Sequence, residues 1–114
     1  YRALVYGYGD ALLQAGQPEE ALKFAEGRLQ AVADDHRLYF LQARAYGALG
    51  KRLAQHRAQA EAYVRMGNVT AAVEQLQIGL KNGDGDFFQL SSAEARLREL
   101  RKVDAELRRE AGKR

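Results

Sequence analysis

Apolar residues recur every three or four positions along most of the chain, and the recurrence stops at three glycines. Gly16, Gly50 and Gly67 each end an apolar run and are followed within a few residues by a possible helix start. These glycines are 34 and then 17 residues apart. Recurrence at three and four positions is typical of an amphipathic helix. The spacing therefore predicts antiparallel helical hairpins with a 34-residue unit, in which 17 residues make one helix and its turn.

Residue types that favour helix starts support this division. Pro18 suits the first turn of a helix, where its missing N–H costs nothing. Asp34 or Asp35 can cap the next helix, and Asn68 can cap a later one. The segment 51–66 has the pattern of the second helix of one hairpin and also of the first helix of the next. We therefore expect one helix to be shared between two units.

The pattern changes after the repeat helices, which we place at about residues 2–82. A glycine turn is expected over 83–90. Ser91 and Glu94 then match the S-x-x-E capping box, which predicts a long capping helix over about 91–111. Four apolar residues should form a narrow stripe that docks on the repeats: Leu97, Leu100, Val103 and Leu107.

The composition agrees with a single all-α domain over residues 1–114. Helix-favouring residues are abundant, there is one proline and there is no cysteine, so we expect no strand, disulfide or thiolate site. No stretch approaches the roughly 18 apolar residues of a membrane span, which predicts no membrane insertion. Tyr1 already lies inside a helical pattern, so we expect the sequence to be a piece of a longer polypeptide.

The net charge of +3 arises entirely from the end of the chain. Residues 1–93 carry ten Lys and Arg against ten Asp and Glu, whereas residues 94–114 carry eight against five. Opposite charges alternate at i,i+4 spacing, as in Glu94 and Arg98, which favours a solvated helix face. The alternative is a nucleic-acid-binding helical domain that uses this basic C-terminal helix.

No constellation of residues for catalysis is visible. Zinc catalysis needs histidines at i,i+4 with a third ligand and a base, but His36 and His56 are 20 residues apart. The segment 82–86 has the opening spacing of a calcium loop, yet Phe87 and Ala93 stand where that loop requires Gly and Glu. We therefore expect a non-enzymatic domain with no metal site and no cofactor.

Over about residues 2–81 the residues at turns and helix crossings resemble those of tetratricopeptide repeats, whose unit is about 34 residues. Val5 and Tyr39 replace the family's usual tryptophan, and Gln55 replaces a small crossing residue. The resemblance implies tetratricopeptide-like antiparallel hairpins in a short solenoid, closed by the long C-terminal helix, with a protein-binding role. The matching residues of the three units are Gly9, Leu12, Gly16 and Ala21, then Ala43, Tyr46 and Gly50, then Ala60, Tyr63, Gly67 and Ala72.

A narrower resemblance extends over nearly the whole chain. Segments 17–21, 60–67, 83–91 and 94–100 are similar to the C-terminal repeat region of BepA (YfgC)-type bacterial periplasmic zinc metalloproteases. That family carries its H-E-x-x-H zinc helix in a separate N-terminal domain, and the motif is absent here. The resemblance implies a periplasmic module that engages outer-membrane protein assembly machinery, its substrates or its own protease domain.

In tetratricopeptide domains the first helix of each pair lines a concave binding face. Tyr and Arg are residue types that anchor protein interfaces. The Lys and Asn with which some members grip a C-terminal carboxylate are not reproduced, because Tyr6 and Asp10 stand at the first two places. The alternative is that Phe40 packs on a neighbouring helix and the arginines are solvated. Carried onto this sequence, the resemblance assigns the concave face to Tyr6, Asp10, Leu13, Gln14, Arg37, Phe40, Arg44, Arg57, Glu61 and Arg65.

Overall fold

Six α-helices make up the part of the chain that a computed structural model describes, residues 2–113; Tyr1 and Arg114 lie outside it. Within these residues there is no strand, so the all-α prediction is confirmed. Consecutive helices pack against each other, and α1 also contacts α3. The helices are α1 (Arg2–Gln14), α2 (Pro18–Ala31), α3 (His36–Ala48), α4 (Arg52–Arg65), α5 (Val69–Lys81) and α6 (Phe87–Gly112).

Three of the connections between helices share one backbone geometry. Gly16, Gly50 and Gly67 have φ angles of +74°, +74° and +80°, a left-handed conformation that favours glycine. The residue after each glycine donates its N–H to the carbonyl five residues earlier, as from Gln17 to Leu12 with an N···O distance of 2.9 Å. This is a Schellman motif, which satisfies carbonyls at a helix end. The glycines therefore end α1, α3 and α4 as predicted.

Two of the predicted N-caps are confirmed. The Asp35 carboxylate accepts the Arg37 N–H at 3.0 Å at the start of α3. The Asn68 side chain accepts the Ala71 N–H at 3.1 Å at the start of α5. At the start of α4, by contrast, the Lys51 side chain makes no cap. The exposed N–H groups of α4 must therefore be satisfied from elsewhere.

Asp84 supplies the cap that α4 lacks. Its Oδ2 accepts the Arg52 N–H at 2.7 Å, and its Oδ1 accepts the Leu53 N–H at 3.0 Å. Asp84 lies in the connection between α5 and α6, 32 and 31 residues after its two partners. The segment 82–86 is thus more than the turn that its glycines predict, because it ties the start of α4 to the start of α6.

The last helix begins earlier than predicted. α6 starts at Phe87, so the predicted turn over 83–90 is wrong in its second half and the predicted start at Ser91 is wrong. Asp86 is the N-cap: it accepts the Gln89 N–H at 2.8 Å, and the Gln89 side chain accepts the Asp86 N–H at 3.0 Å. A complete capping box upstream therefore starts the helix, and Ser91 is an exposed residue within it.

The predicted apolar stripe of α6 docks only through its first two residues. Leu97 and Leu100 are buried against α4 and α5, whereas Val103 is 38% and Leu107 is 52% exposed. The reason is length, because α6 has 26 residues and its partner α5 has 13. The second half of α6 therefore extends beyond the other helices.

α4 packs as extensively on α3 as on α5, as the helix that we expect to be shared between two units should. On the α5 side, a Cβ added to Gly79 would lie 2.9 Å from the Cβ of His56. On the α3 side, Gly47 leaves room for Gln55, since a Cβ added there would lie 3.2 Å from the Gln55 side chain. The large residue at this crossing is accommodated by a glycine opposite it.

Candidate binding grooves

The predicted concave face is divided between two grooves, one on each side of α3. Arg57 and Glu61 line the α3–α4 groove, a depression of about 390 Å³ between α3 and α4 that Gln89 of α6 also lines. The α1–α3 groove, about 210 Å³ between α1 and α3, contains half of the predicted residues: Tyr6, Asp10, Arg37, Phe40 and Arg44. The fold therefore does not bring all the predicted residues onto one surface.

In the α1–α3 groove the polar side chains contact one another. The Tyr6 hydroxyl donates to Asp35 Oδ2 at 2.5 Å, and Arg44 Nη1 donates to Asp10 Oδ1 at 2.5 Å. The guanidinium carbon of Arg37 lies 5.2 Å from the centroid of the Tyr6 ring. These contacts hold α1 on α3. A ligand in this groove would have to compete with them.

The remaining predicted residues lie outside the lining of both grooves or pack within the fold. Leu13 and Gln14 lie in the last turn of α1 and line neither groove. The Arg65 guanidinium carbon lies 4.8 Å from the centroid of the Tyr39 ring. Phe40 borders the α1–α3 groove and also packs edge-to-face on a ring of α4, with 5.6 Å between the centroids. Phe40 therefore lines a groove, as the binding-face prediction requires, and it also packs on a neighbouring helix, as the alternative requires.

The α3–α4 groove is built around two tyrosine rings of α3. Tyr39 and Tyr46 are seven residues apart, two helical turns, so both rings face the same side of the helix. Burial raises the pKa of Tyr46, the negative charge of Glu26 raises it further, and Arg57 opposes both. The Tyr46 hydroxyl is therefore neutral at physiological pH and can donate a hydrogen bond.

The acidic residue of this groove is already neutralised. Arg65 Nη1 lies 2.5 Å from Glu61 Oε1, and Arg96 Nε of α6 lies 2.8 Å from Glu61 Oε2. Arg96 also pairs with Glu99 on its own helix. Burial alone would raise the pKa of Glu61, but the hydrogen bonds and positive charges of Arg96 and Arg65 outweigh it and hold the pKa below its usual range. Glu61 is therefore an ionised link between α4 and α6.

Two cations of the α3–α4 groove, by contrast, are available to form ion pairs with a ligand. Within residues 2–113 neither Lys51 nor Arg57 forms an ion pair or a side-chain hydrogen bond. Lys51 is exposed and Arg57 is half-buried. Because Glu61 is compensated by its own arginines, Lys51 and Arg57 are the uncompensated charges among the described residues that line the groove.

No protein-family model matches the chain, and no curated protein matches it at a significant level. The functional assignment therefore depends on the grooves and on the resemblance described above.

The histidines occupy separate places in the fold. A ring nitrogen of His56 lies 2.8 Å from Gln75 Oε1, which joins α4 to α5, and His36 lies edge-on to Phe40. Residues 2–113 contain no group of three or more His, Cys, Asp or Glu side chains placed to hold a metal ion. Among the described helices, none is both long and apolar enough to cross a bilayer.

Several residues of the α3–α4 groove were not predicted as binding residues. Tyr39 and Tyr46 were assigned to structural positions of the repeat, and Lys51 to the start of the helix over 51–66. Gln89 was assigned to an irregular segment, because the start of α6 was placed too late. Only the correct capping box would have placed Gln89 on a helix, and even then its contact with α4 depends on the fold.

Proposed function

We propose that this chain is a protein-interaction module of the tetratricopeptide type that does no chemistry of its own. The observation that carries the proposal is the α3–α4 groove, which combines two tyrosine rings with two unpaired cations in a depression of about 390 Å³. Tyr and Arg are enriched among the residues that dominate interface energies, because each covers a large area and also hydrogen-bonds. An open groove between helices suits an extended segment of a protein partner.

The solenoid arrangement is part of the same proposal. It is supported by the three equivalent Schellman turns and by the close helix crossings at small residues. Asp10 and Arg44 form a salt bridge across 34 residues, which is the length of one repeat unit. Equivalent positions in successive units of a repeat protein lie side by side in this way.

Binding of extended peptides is tested by selecting from a displayed library of random peptides of about 12 residues. Selected peptides are then titrated by fluorescence anisotropy against the wild-type chain, Tyr39→Ala and Tyr8→Ala. Tyr8 is the matched control, because it is a half-exposed tyrosine that packs on Phe24 away from the groove. We expect Tyr39→Ala to weaken binding about tenfold and Tyr8→Ala to leave it unchanged. Selected peptides that bind both variants like wild type would refute a function in this groove.

The cellular setting is a proposal that the family resemblance supports. In it, the chain is the repeat region of a periplasmic metalloprotease or chaperone-like protein, and its partner is an outer-membrane assembly factor, a substrate or the parent protease domain. A photo-crosslinking amino acid placed at Gln42 in the α3–α4 groove of the full-length protein tests this in the native cells. Cross-links to one of those partners are expected. Cross-links confined to cytosolic proteins would contradict it.

A second candidate function is nucleic-acid binding through α6. Four cations of this helix, within the residues that the structure describes, are exposed and form no ion pair: Arg98, Arg101, Lys102 and Arg109. Phosphate contacts make affinity fall steeply with salt, by a log–log slope of about 0.9 per phosphate neutralised. Titration of short duplexes and single strands at two salt concentrations tests this. Binding that is absent at low salt would exclude it.

A further inference from the structure

We propose that the α3–α4 groove takes an acidic extended segment whose apolar side chains pack on the rings of Tyr39 and Tyr46. This inference rests on the proposed protein-binding function and specifies the chemistry of the partner. It depends on the charge distribution within the groove and on the two tyrosine rings that line it.

The charges of the groove select an anionic partner. The only acidic side chain that lines it, Glu61, already holds two arginines at 2.5 Å and 2.8 Å. Lys51 and Arg57 have no counter-ion among the described residues, so a basic ligand would meet uncompensated like charge. Carboxylates of a ligand would supply the two missing ion pairs, and like-charge contacts at an interface are costly enough to exclude the opposite ligand.

Phe87 and Phe88 form an exposed aromatic pair at the start of α6, with 85% and 79% of their surface accessible. At about 100° per residue, Phe88 lies about 80° around the helix from Arg96 and about 180° from the buried Leu97. Phe87 lies about 180° from Arg96. Neither ring lines the α3–α4 groove, whereas Gln89, about 20° from Arg96, does. The two exposed rings therefore lie outside the groove and can serve as controls.

The cations on the α4 side of the groove and the tyrosine rings on its α3 side match the alternating side chains of an extended peptide. Successive side chains of an extended chain point in opposite directions. A strand of alternating acidic and apolar residues that lies between α3 and α4 can therefore direct carboxylates towards Lys51 and Arg57 on the α4 side while it directs apolar side chains towards Tyr39 and Tyr46 on the α3 side. A compact folded ligand would have to present the same alternation on its surface.

The test uses three fluorescein-labelled peptides of about ten residues: alternating Glu and Leu, alternating Lys and Leu, and alternating Glu and Ala. Affinities are measured by anisotropy with the whole chain, after circular dichroism has shown that each variant is folded. We expect the Glu/Leu peptide to bind most tightly and the Lys/Leu peptide to bind at least about tenfold more weakly.

Adjacent and charge-matched variants serve as controls. Arg57→Glu and Lys51→Glu should each weaken Glu/Leu binding about tenfold, whereas Arg98→Glu, which makes the same change in net charge on the outer side of α6, should change it less than twofold. Tyr39→Ala should weaken binding of the Glu/Leu peptide about threefold or more and leave binding of the Glu/Ala peptide unchanged. Phe88→Ala should affect neither.

Equal losses with Arg57→Glu and Arg98→Glu would overturn the inference, because binding would then reflect the net charge of +3 alone. Tighter binding of the Lys/Leu peptide would also overturn it, and so would tighter groove-dependent binding of a single-stranded oligonucleotide of equal charge. If the selected library peptides were neutral or basic and needed Tyr39 for binding, the acidic ligand would be refuted. The proposed protein-binding function would then still stand. Peptide binding that depends on no groove residue would refute both.

Discussion

Removing the Asp84 carboxylate should destabilise the chain far more than its place in a glycine-rich loop suggests. Asp84→Ala deletes both acceptors at the start of α4, where the distances to the Arg52 and Leu53 N–H groups are 2.7 Å and 3.0 Å. Water can replace the acceptor at Arg52, which is exposed, but less easily at Leu53, whose residue surface is 2% accessible. The loss therefore includes a donor left without a partner in a partly buried place.

The size of the effect follows from these contacts. Loss of an N-cap costs about 0.5–2 kcal/mol, and a buried unsatisfied donor costs about 1–3 kcal/mol. Because the two estimates describe overlapping contacts, we expect a loss of about 2 kcal/mol in the free energy of unfolding. An unfolding entropy of about 2.1 cal/mol/K per residue converts this to a fall of about 8 °C in the melting temperature of a 114-residue chain.

Chemical denaturation and calorimetry measure this loss against two matched variants. Asp34→Ala removes an exposed aspartate that forms no hydrogen bond or ion pair within residues 2–113, and it should cost less than about 0.5 kcal/mol. Asp84→Asn keeps an acceptor and removes the charge, so its cost should fall between the other two. Hydrogen exchange should also accelerate at the Leu53 amide in Asp84→Ala. If Asp84→Ala were as stable as Asp34→Ala, the cap between distant segments would make no contribution and the reasoning would be refuted.

Three further predictions address helix crossings, the start of α6 and acid sensitivity. Denaturant melts should show that Gly79→Ala loses about 1–3 kcal/mol, because its new Cβ would lie 2.9 Å from another Cβ, whereas Gly27→Ala, with open space around it in α2, gains up to about 1 kcal/mol. The same melts should show that Asp86→Ala lowers the free energy of unfolding by about 1 kcal/mol and Ser91→Ala by less than about 0.5 kcal/mol. The reverse order would indicate that the helix starts at Ser91, as the sequence predicted. The folded pKa of Glu61 lies below its unfolded value of about 4.3, so the carboxylate stabilises the fold above that pH and the stability is lost as the pH falls through the folded pKa. Glu61→Gln should therefore differ most from wild type near pH 7, and a difference that grew on acidification would contradict this sign.

Features determined by neighbouring residues could be predicted from the sequence. The turn at Gly16 and the cap at Asn68 each depend on a few adjacent residues, and both are confirmed. The cap from Asp84 could not be predicted, because its partners lie 31 and 32 residues earlier and only the packing of α4 beside α6 brings them together. The start of α6 was predicted from the S-x-x-E pattern at Ser91, whereas the capping box that forms joins Asp86 and Gln89.

The division of the predicted concave face follows from the packing of α4 on both of its neighbours. In a regular repeat array, alternate helices would line one continuous surface. Here α4 packs on both α3 and α5, so its residues Arg57 and Glu61 face the Tyr39 side of α3 and the start of α6. The loop that caps α4 through Asp84 also precedes Gln89, which lines the α3–α4 groove. The shape of this groove and the stability of α4 therefore depend on the same short segment, and a substitution that weakens the cap should weaken ligand binding as well.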